Sequence, residues 1–358
     1  MLDHTFLLYG ANGYTGELIA RYAADFGLQP ILAGRNKQAL DKLGAELNLP
    51  VKVFALDDQP AMQQALQEVS VVVNAAGPYD FTAKQLVEAC IAEGRHYLDL
   101  NGDAIIYDMI RTYDNAAKEK GVMLLPGAGY DVVPTDCLAL WLKQQMPDAR
   151  SLKIAFAVLN SALSRGTAIN TVLKLGLPGL SRIDGKLVEE PVGKRGMYVQ
   201  FPGLHKKIFT MSLPWGDLST AYVSTGIPNI ATYININKAA WYFLKGQAAY
   251  NWLLKTKLVR GIANSIVKMQ SPGPDKATRD KTNALIWAQV SNANGDTLTA
   301  NMVVPEAYTL TALTALLITK KILNKDYKAG YQTPATAYGT ELIMEIAGVQ
   351  REIIAYLN

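Results

Sequence analysis

The chain has 358 residues, a length that suggests two domains or one large one. Hydrophobic residues make up 49% and charged residues 18%, which excludes an intrinsically disordered protein. The formal net charge of +4 is too small to indicate a nucleic-acid-binding protein.

The first part of the chain alternates between strand-like apolar runs and helical patterns. We predict strands at Phe6–Tyr9, Pro30–Gly34, Val51–Leu56, Val69–Ala75, His96–Leu100 and Val122–Pro126. Helices are predicted to begin near Thr15, Asn36, Gln59, Phe81, Ala104 and Pro134. This alternation predicts an α/β fold with a doubly wound parallel sheet.

The second part has β-like runs that follow one another without helices between most of them. They are Leu152–Leu159, Met197–Phe201, Lys207–Leu213, Thr220–Ser224, Ala231–Asn235, Ala284–Val290 and Thr297–Val303. This pattern predicts an α+β domain with a largely antiparallel sheet. We expect domains at 1–135 and 136–334, and a C-terminal helix over 335–358 that returns to the first domain.

The glycines at the start of the chain predict a turn between a strand and a helix. Gly10 and Gly13 allow a sharp turn and the close approach of a pyrophosphate, and Gly16 allows close packing of helix on strand. The helix that follows would direct its N–H groups at the anion. A plain glycine-rich turn is the alternative. The residues predicted to contact the cofactor here are Gly10, Asn12, Gly13, Tyr14, Thr15 and Gly16.

The end of the second predicted strand selects the cofactor. Arg35, with Lys37 nearby, offers donors to a 2′-phosphate where an NAD site would have an acidic residue, so the sequence predicts NADP. An exposed structural arginine is the alternative. The other residues predicted to contact the cofactor are Asn36, Asp57, Asn74, Ala75, Ala76, Gly77 and Pro78.

Cysteine, histidine and apolar patterns exclude several other classes. Cys90 and Cys137 lie far apart in apolar patterns, and none of the three histidines lies at a metal-ligand spacing, so no disulfide or metal site is expected. No signal peptide is visible, and the apolar run Ala307–Thr319 is too short to span a bilayer. We therefore expect a cytoplasmic protein.

Blocks along nearly the whole chain resemble the saccharopine dehydrogenase-like oxidoreductases. Those in the first part are Gly10–Gly16, Ala33–Asn36, Ala76–Tyr79, Tyr97–Asp103 and Pro126–Asp136. Those in the second part look most like the branch of the bacterial trans-acting enoyl reductases: Ser164–Ala168, Pro214–Asp217, Ser224–Pro228, Tyr308–Ala312 and Thr333–Ala335. The resemblance implies an NADP-binding Rossmann domain at 1–135 and a substrate domain, also a site for homodimer formation, at 136–334.

Hydride transfer from NADPH also requires a proton donor and a group that holds the substrate. The candidate catalytic residues are Tyr79, Tyr130, Asp131 and Arg165; a buried aromatic is the alternative for Tyr130, and a helix-capping loop for Ser164–Thr167. Few arginines are available for a substrate with several carboxylates. We therefore expect reduction of an apolar or lipid-linked enoyl substrate. An opine-type amino-acid dehydrogenase and a cofactor-binding scaffold without turnover remain open.

A basic segment lies in the second part. From Leu218 to Pro274 there is no acidic residue, while six lysines and arginines lie between residues 238 and 268. Residues 252–269 have the pattern of a basic amphipathic helix. Such a helix fits peripheral contact of 238–269 with an anionic membrane, or packing on its own core or a partner subunit.

Overall fold

The structure, a computed structural model, describes residues 4–159, 162–174, 176–246, 249–254, 256–269 and 272–357. The chain divides into two compact units. The first comprises Met1–Val133 and Tyr308–Tyr338, and the second Pro134–Ala307 and Gly339–Asn358. The sequence did not indicate that Tyr308–Tyr338 belongs to the first unit, because residues 136–334 were expected to form one domain. The functional division at 135 and 334 stays a prediction.

The helices and strands follow in chain order. The first stretch contains β1 (Thr5–Tyr9), α1 (Tyr14–Tyr22), β2 (Gln29–Gly34), α2 (Lys37–Leu47), β3 (Val51–Val53), α3 (Gln59–Gln67), β4 (Val71–Asn74), α4 (Tyr79–Glu93), β5 (His96–Asp99), α5 (Ala104–Arg111), α6 (Asp114–Glu119) and β6 (Met123–Leu125). The middle stretch contains α7 (Val133–Gln145), β7 (Ser151–Val158), α8 (Arg165–Leu173), β8 (Gly179–Ile183), β9 (Lys186–Glu190), β10 (Gly196–Val199), β11 (Ile208–Ser212), α9 (Asp217–Thr225), β12 (Asn229–Asn235), α10 (Lys238–Lys245), α11 (Asn251–Leu254), α12 (Lys257–Lys268), α13 (Lys276–Lys281), β13 (Asn283–Ser291) and β14 (Thr297–Pro305). The last stretch contains α14 (Ala307–Leu323), β15 (Gly330–Tyr331), α15 (Pro334–Tyr338) and β16 (Gln350–Leu357).

The first unit is built on a parallel sheet. Among the described residues its strands follow the order β15-β6-β5-β4-β1-β2-β3, and every pairing is parallel. All residues of β1, β4 and β5 are buried, so both faces of the sheet are covered. The predicted doubly wound sheet is confirmed, and β15 adds a two-residue strand that the sequence did not predict.

The second unit is built on a mixed sheet. Its path within the described residues is β10-β11-β12-β7-β13-β14-β16, with β8 paired to β12 and to β9. Strands β7 and β12 pair in parallel, and the other pairs are antiparallel. The predicted α+β character and largely antiparallel sheet are therefore confirmed.

Two of the predicted elements are wrong. The β-like run Thr220–Ser224 lies in α9, because Gly226 adopts a left-handed conformation (φ 68°) and its N–H closes the helix on the Tyr222 carbonyl. The helix predicted over 335–358 is also wrong in its last part: β16 is a strand, antiparallel to β14. Pairing with an existing strand outweighs the helical spacing of its apolar residues.

The predicted basic helix over 252–269 is not one helix. The described residues place a short α11 and a longer α12 there, while Lys255 lies outside the described part of the chain, as do the side chains of Lys257, Asn264 and Lys268. Across all described residues, no helix combines the length and apolar character that crossing a membrane requires.

Candidate functional site

The strand register of the first unit aligns a row of residues at the carboxyl edge of its sheet. Tyr9 at the end of β1 pairs with Ala33 of β2 and with Asn74 of β4, and Asn74 pairs with Asp99 of β5. Ligands of open α/β sheets bind at this edge. The loops that follow the strands of this sheet carry the predicted cofactor residues and the catalytic candidates Tyr79 and Asp131.

The turn between β1 and α1 is folded tightly on its neighbours. Gly10 has a φ of 86°, and a Cβ there would lie 2.7 Å from the backbone nitrogen of Ala76. A Cβ on Gly16 would lie 2.3 Å from the Gly10 carbonyl oxygen. The N–H groups of Gly10 and Ala11 both donate to the Ala33 carbonyl. Backbone therefore occupies the space that side chains at Gly10 and Gly16 would need.

The N-terminus of α1 has the form of an anion-binding site. Gly13 is the N-cap residue, and within the described chain no side chain caps this end. Asn12 and Gly13 are exposed, and Tyr14 packs edge-on against Tyr308 with ring centroids 5.1 Å apart. Because the first turn of a helix presents N–H groups and a positive dipole, this end suits a pyrophosphate. Thr15, half-buried, follows in the same turn.

The end of β2 presents a cation beside the same turn. Arg35 is exposed, and Asn36 caps α2 by accepting a hydrogen bond from the Ala39 N–H at 3.2 Å. Burial raises the pKa of the Tyr9 hydroxyl, the Arg35 charge opposes this rise, and Asp57 adds to it. The guanidinium and the Asp57 carboxylate therefore both lie near the end of β1. An exposed guanidinium in this position fits the 2′-phosphate of NADP.

Asn74 organises the loop that follows β4. Its Oδ1 accepts from the Ala76 N–H at 3.0 Å, and its Nδ2 donates to Thr82 and to the Tyr97 hydroxyl, both at 3.2 Å. The Ala75 N–H donates to the Tyr9 carbonyl. Asn74 is fully buried, so its amide fixes the course of the Ala75–Pro78 segment beside the glycine turn.

Asp99 is a fully buried carboxylate at the end of β5. Its Oδ1 accepts from the N–H groups of Gly127 and Asn101, at 2.9 and 3.0 Å, and its Oδ2 accepts from the Tyr97 hydroxyl at 2.9 Å. Burial raises its pKa to about 6, against these hydrogen bonds, which favour the ionised form.

Tyr79 lies near both Asp99 and Asp131 in the same unit. Burial, together with the charges of Asp99 and Asp131, raises the pKa of the Tyr79 hydroxyl well above its usual value. Burial also raises the pKa of Asp131 to about 7. We call Tyr79, Asp99 and Asp131 the carboxyl-edge cluster. At neutral pH it contains a hydroxyl that keeps its proton and a carboxyl that is partly protonated, and either group can donate a proton.

Helix α14 fixes the loop that carries Asp131. Thr311 accepts a hydrogen bond from the Tyr130 N–H at 3.0 Å, and Thr314 donates to the Ala128 carbonyl at 2.8 Å. Tyr130 is buried, as its structural alternative expected. No role of Thr311, Thr314 or Asp99 was predicted from the sequence. Thr311 lies in the Tyr308–Ala312 block and Asp99 in the Tyr97–Asp103 block, but nothing local in either block shows which residues these side chains contact.

Arg165, the remaining catalytic candidate, lies in the second unit at the start of α8. Ser164 caps this helix by accepting from the Thr167 N–H at 3.2 Å, which is the capping loop considered as the alternative. Two further arginines of this unit are engaged internally. Arg182 donates to backbone carbonyls, including that of Gly185 at 2.7 Å, and Arg195 pairs with Glu190 at 2.7 Å.

One histidine and both cysteines are buried. His96 accepts from the Met123 N–H at 2.9 Å, and burial lowers its pKa to about 4, so it is neutral. Cys90 and Cys137 are free, buried thiols, and burial raises the pKa of each. The described residues contain no group of three or more metal-ligating side chains.

Comparison with known families agrees with this cofactor geometry. The family model described as saccharopine dehydrogenase NADP binding domain matches residues 6–125, which span β1 to β6. Residues 6–125 are therefore similar to the NADP-binding domain of the saccharopine dehydrogenases. The matched segment carries the glycine turn, Arg35 and two members of the carboxyl-edge cluster, and the family model confirms the predicted NADP cofactor.

Relatives of this oxidoreductase are similar over different parts of the chain. A lipid droplet localized protein of Caenorhabditis elegans is 25% identical over 287 residues, 69% of this chain and 67% of that protein. A saccharopine dehydrogenase-like oxidoreductase of Rattus norvegicus is 29% identical over 43% of this chain and 41% of its own length. A putative trans-acting enoyl reductase of Mycobacterium tuberculosis is 34% identical over 36% of this chain and 33% of its own length. The match thus spans less than half of the rat and mycobacterial proteins.

A solved structure supports the fold of this oxidoreductase over its whole length. Apo saccharopine dehydrogenase (L-Glu forming) from Saccharomyces cerevisiae has a TM-score of 0.67 and 14% identity. The alignment covers 98% of this chain and 100% of the yeast chain. The similarity shows a shared fold and is too low in sequence to transfer a substrate.

Proposed function

We propose that the protein is an NADPH-dependent reductase of an apolar or lipid-linked enoyl substrate. The carboxyl-edge cluster is the observation that supports this proposal. Its candidate proton donor, Tyr79, and the predicted cofactor residues lie at the same edge of the parallel sheet. The glycine turn, α1 and Arg35 would hold the cofactor, with the Ala75–Pro78 segment beside it. When bound, NADPH supplies the hydride.

The residues of the chain then supply the proton. Reduction of a conjugated double bond adds hydride to one carbon and a proton to its neighbour, so a proton donor is required near that neighbouring carbon. The raised pKa of Tyr79 keeps its hydroxyl protonated, and Asp131, with a pKa of about 7, restores that proton. Tyr79 is thus the proposed donor and Asp131 its proton source. The role of Arg165 stays a prediction from the sequence, and we assign no step to Tyr130.

Two exposed apolar side chains favour an apolar substrate. Phe81, in the first turn of α4, is 66% exposed, and Ile105, in the first turn of α5, is 59% exposed. Both helices begin at the sheet edge that carries the carboxyl-edge cluster. A hydrocarbon chain would remove these side chains from water. The names of the nematode and mycobacterial relatives also favour a lipid-related substrate.

The arginines of the second unit weigh against an amino-acid substrate. An opine-type dehydrogenase binds several carboxylates and needs several available cations. Arg182 and Arg195 are instead engaged with backbone carbonyls and with Glu190. Two arginines of this unit are thus committed to internal contacts, so an opine-type reaction is the second proposal. A homodimer stays a prediction.

Turnover assays test the proposal. NADPH oxidation is measured with a long-chain enoyl thioester and with a lysine-derived imine. We expect turnover of the thioester, and a kcat reduced about a hundredfold or more in Tyr79→Phe with NADPH affinity unchanged. Tyr113→Phe, at a surface tyrosine bonded to Glu88, is the matched control and keeps its activity. Turnover of the imine alone would establish the second proposal, and NADPH binding without any turnover would indicate a scaffold.

Cofactor choice is tested separately. Removal of a charge-assisted contact costs about 1.5 to 3 kcal/mol, so Arg35→Ala weakens NADPH binding about tenfold to a hundredfold and leaves NADH binding unchanged. Arg111→Ala, at an exposed position of the same unit, is the control. Equal NADPH affinity in Arg35→Ala and the wild type would contradict the assignment of Arg35.

A further inference from the structure

Three consecutive helices of the second unit expose apolar side chains to water. They are α10, α11 and α12, and the exposed residues are Tyr242 (64%), Phe243 (60%), Trp252 (72%), Leu258 (74%), Ile262 (55%), Ile266 (56%) and Met269 (87%). We call this set the basic apolar face. Scattered exposed apolar residues are normal on a protein surface, but a concentration of this kind marks a contact surface.

Helix α12 packs on its own unit through residues other than the exposed ones. Val267 is buried against Ala168 and Val172 of α8, with Ala263 packed beside them. Leu258, Ile262 and Ile266 recur at four-residue spacing on a neighbouring stripe that stays exposed. The helix therefore has one apolar stripe for its own unit and a second stripe that the unit does not cover.

Trp241 anchors helix α10 to its own unit. Trp241 donates from Nε1 to the Gly193 carbonyl at 2.7 Å, and its ring packs on Phe209 at 4.9 Å. None of the described residues of α10 is buried, although six consecutive residues, 239–244, are alanine, aromatic or leucine. Tyr242 and Phe243 follow the anchor residue and face water.

The charge of this region indicates which kind of partner covers the basic apolar face. Residues 218–274 contain no aspartate or glutamate, and six lysines and arginines fall between residues 238 and 268. Lys238 and Lys245 are exposed and lie over the rings of Tyr198 and Trp241, at 5.0 and 4.8 Å. A surface that combines apolar and aromatic side chains with positive charge complements anionic lipid headgroups above hydrocarbon.

The same charge disfavours a second copy of the chain. In a two-fold symmetric dimer each copy contributes the same patch, so two acid-free basic segments would meet. Like charges at such an interface cost binding energy, whereas an anionic bilayer pairs with every lysine. We propose that α10, α11 and α12 form a docking surface for an anionic phospholipid membrane. The apolar side chains enter the interfacial region and the lysines contact headgroups, with no helix crossing the bilayer.

Vesicle flotation of the full chain tests this surface without any turnover measurement. We expect the protein to float with phosphatidylcholine vesicles that contain phosphatidylglycerol at low salt, and to remain unbound with pure phosphatidylcholine. Ile262→Ser combined with Ile266→Ser lowers the partition coefficient about thirtyfold, since two half-exposed isoleucines no longer enter the bilayer. Lys238→Gln and Lys245→Gln each lower it about fivefold. None of these residues belongs to the proposed catalytic or cofactor site.

A matched control tests whether flotation depends on the basic apolar face or on exposed isoleucines anywhere on the surface. Ile353→Ser with Ile354→Ser removes isoleucines of similar exposure (43% and 42%) on β16 and leaves flotation unchanged. Circular dichroism and NADPH affinity, both unaltered, verify that the variants are folded. Brominated lipids quench the wild-type tryptophan fluorescence more than that of Trp252→Phe, which places Trp252 in the bilayer.

Three results would overturn the proposal. One is the absence of flotation with anionic vesicles at low salt. Another is an equal loss of flotation in the control variant. The third is a wild-type dimer that Ile262→Ser with Ile266→Ser dissociates while no vesicle binding occurs, which would assign the face to a second copy. Failure of the enoyl reductase assay leaves the vesicle result intact, so the two proposals fail independently.

Discussion

Replacing Asp99 with asparagine changes how the stability of the protein depends on pH. Asp99 is fully buried and its pKa is raised from 3.8 to about 6. Because the native carboxyl keeps its proton up to a higher pH than the unfolded one, the native state binds more protons between pH 4 and 6. The free energy of unfolding of the wild type therefore falls as the pH rises through this window and is level above it.

The size of this effect follows from the two pKa values. The full shift corresponds to about 3 kcal/mol, and the part of it that falls between about pH 4.5 and pH 7.5 is about 2 kcal/mol. Asparagine keeps an Oδ1 acceptor for the N–H groups of Gly127 and Asn101, but its side chain does not ionise. The stability of Asp99→Asn relative to the wild type should thus increase by about 2 kcal/mol from the lower to the higher pH.

Urea unfolding of the cofactor-free protein at both pH values measures this difference. Circular dichroism follows the transition, and midpoints are compared between the wild type, Asp99→Asn and Asp25→Asn. Asp25 is exposed, so its variant should differ from the wild type by less than about 0.5 kcal/mol at either pH. If Asp99→Asn differs from the wild type by the same amount at both pH values, burial does not raise this pKa and the reasoning is refuted.

Two further predictions concern the cofactor turn and the proton source. Gly16→Ala forces backbone apart because its Cβ would lie 2.3 Å from the Gly10 carbonyl oxygen, so we expect NADPH affinity to fall at least about tenfold and stability by about 1 to 3 kcal/mol. Gly261→Ala, where a Cβ meets open space, is the control, and an unchanged NADPH affinity in Gly16→Ala would contradict the turn geometry. For the proposed reductase, kcat should fall as the pH rises through about 7, where Asp131 loses its proton. Asp131→Asn should abolish this break, and a wild-type profile that is flat through pH 7 would remove Asp131 from the mechanism.

The parallel sheet could be predicted from the sequence because its signals are local. Each of its first six strands is a short apolar run, and both faces of the sheet are buried, so apolar residues need no alternation. The positions of Arg35 and the glycine turn were also predictable, since each lies directly at the end of a strand, while their contacts with the cofactor stay a prediction. Their chemistry depends on spacing along the chain rather than on distant partners.

Other elements depend on contacts that the local sequence does not show. The β8–β9 hairpin did carry a usable signal: Asp184 and Gly185 both have positive φ, 48° and 76°, as an Asp-Gly hairpin turn requires. Strand β16 and the role of Thr311 had no such signal, because each depends on a partner far away in the chain. The raised pKa of Asp99 likewise results from burial by residues that the sequence does not identify as neighbours.

The return of Tyr308–Tyr338 to the first unit affects how the protein folds during synthesis. The chain passes from one unit to the other after Val133, Ala307 and Tyr338, so the first unit is complete only when nearly all of the polypeptide has left the ribosome. Until then β6 is an open sheet edge, and the Asp131 loop lacks Thr311 and Thr314. Such long-range completion slows folding and exposes an edge that favours aggregation. Translation that stops before residue 308 would therefore yield a nucleotide-binding half without the helix that holds the Asp131 loop.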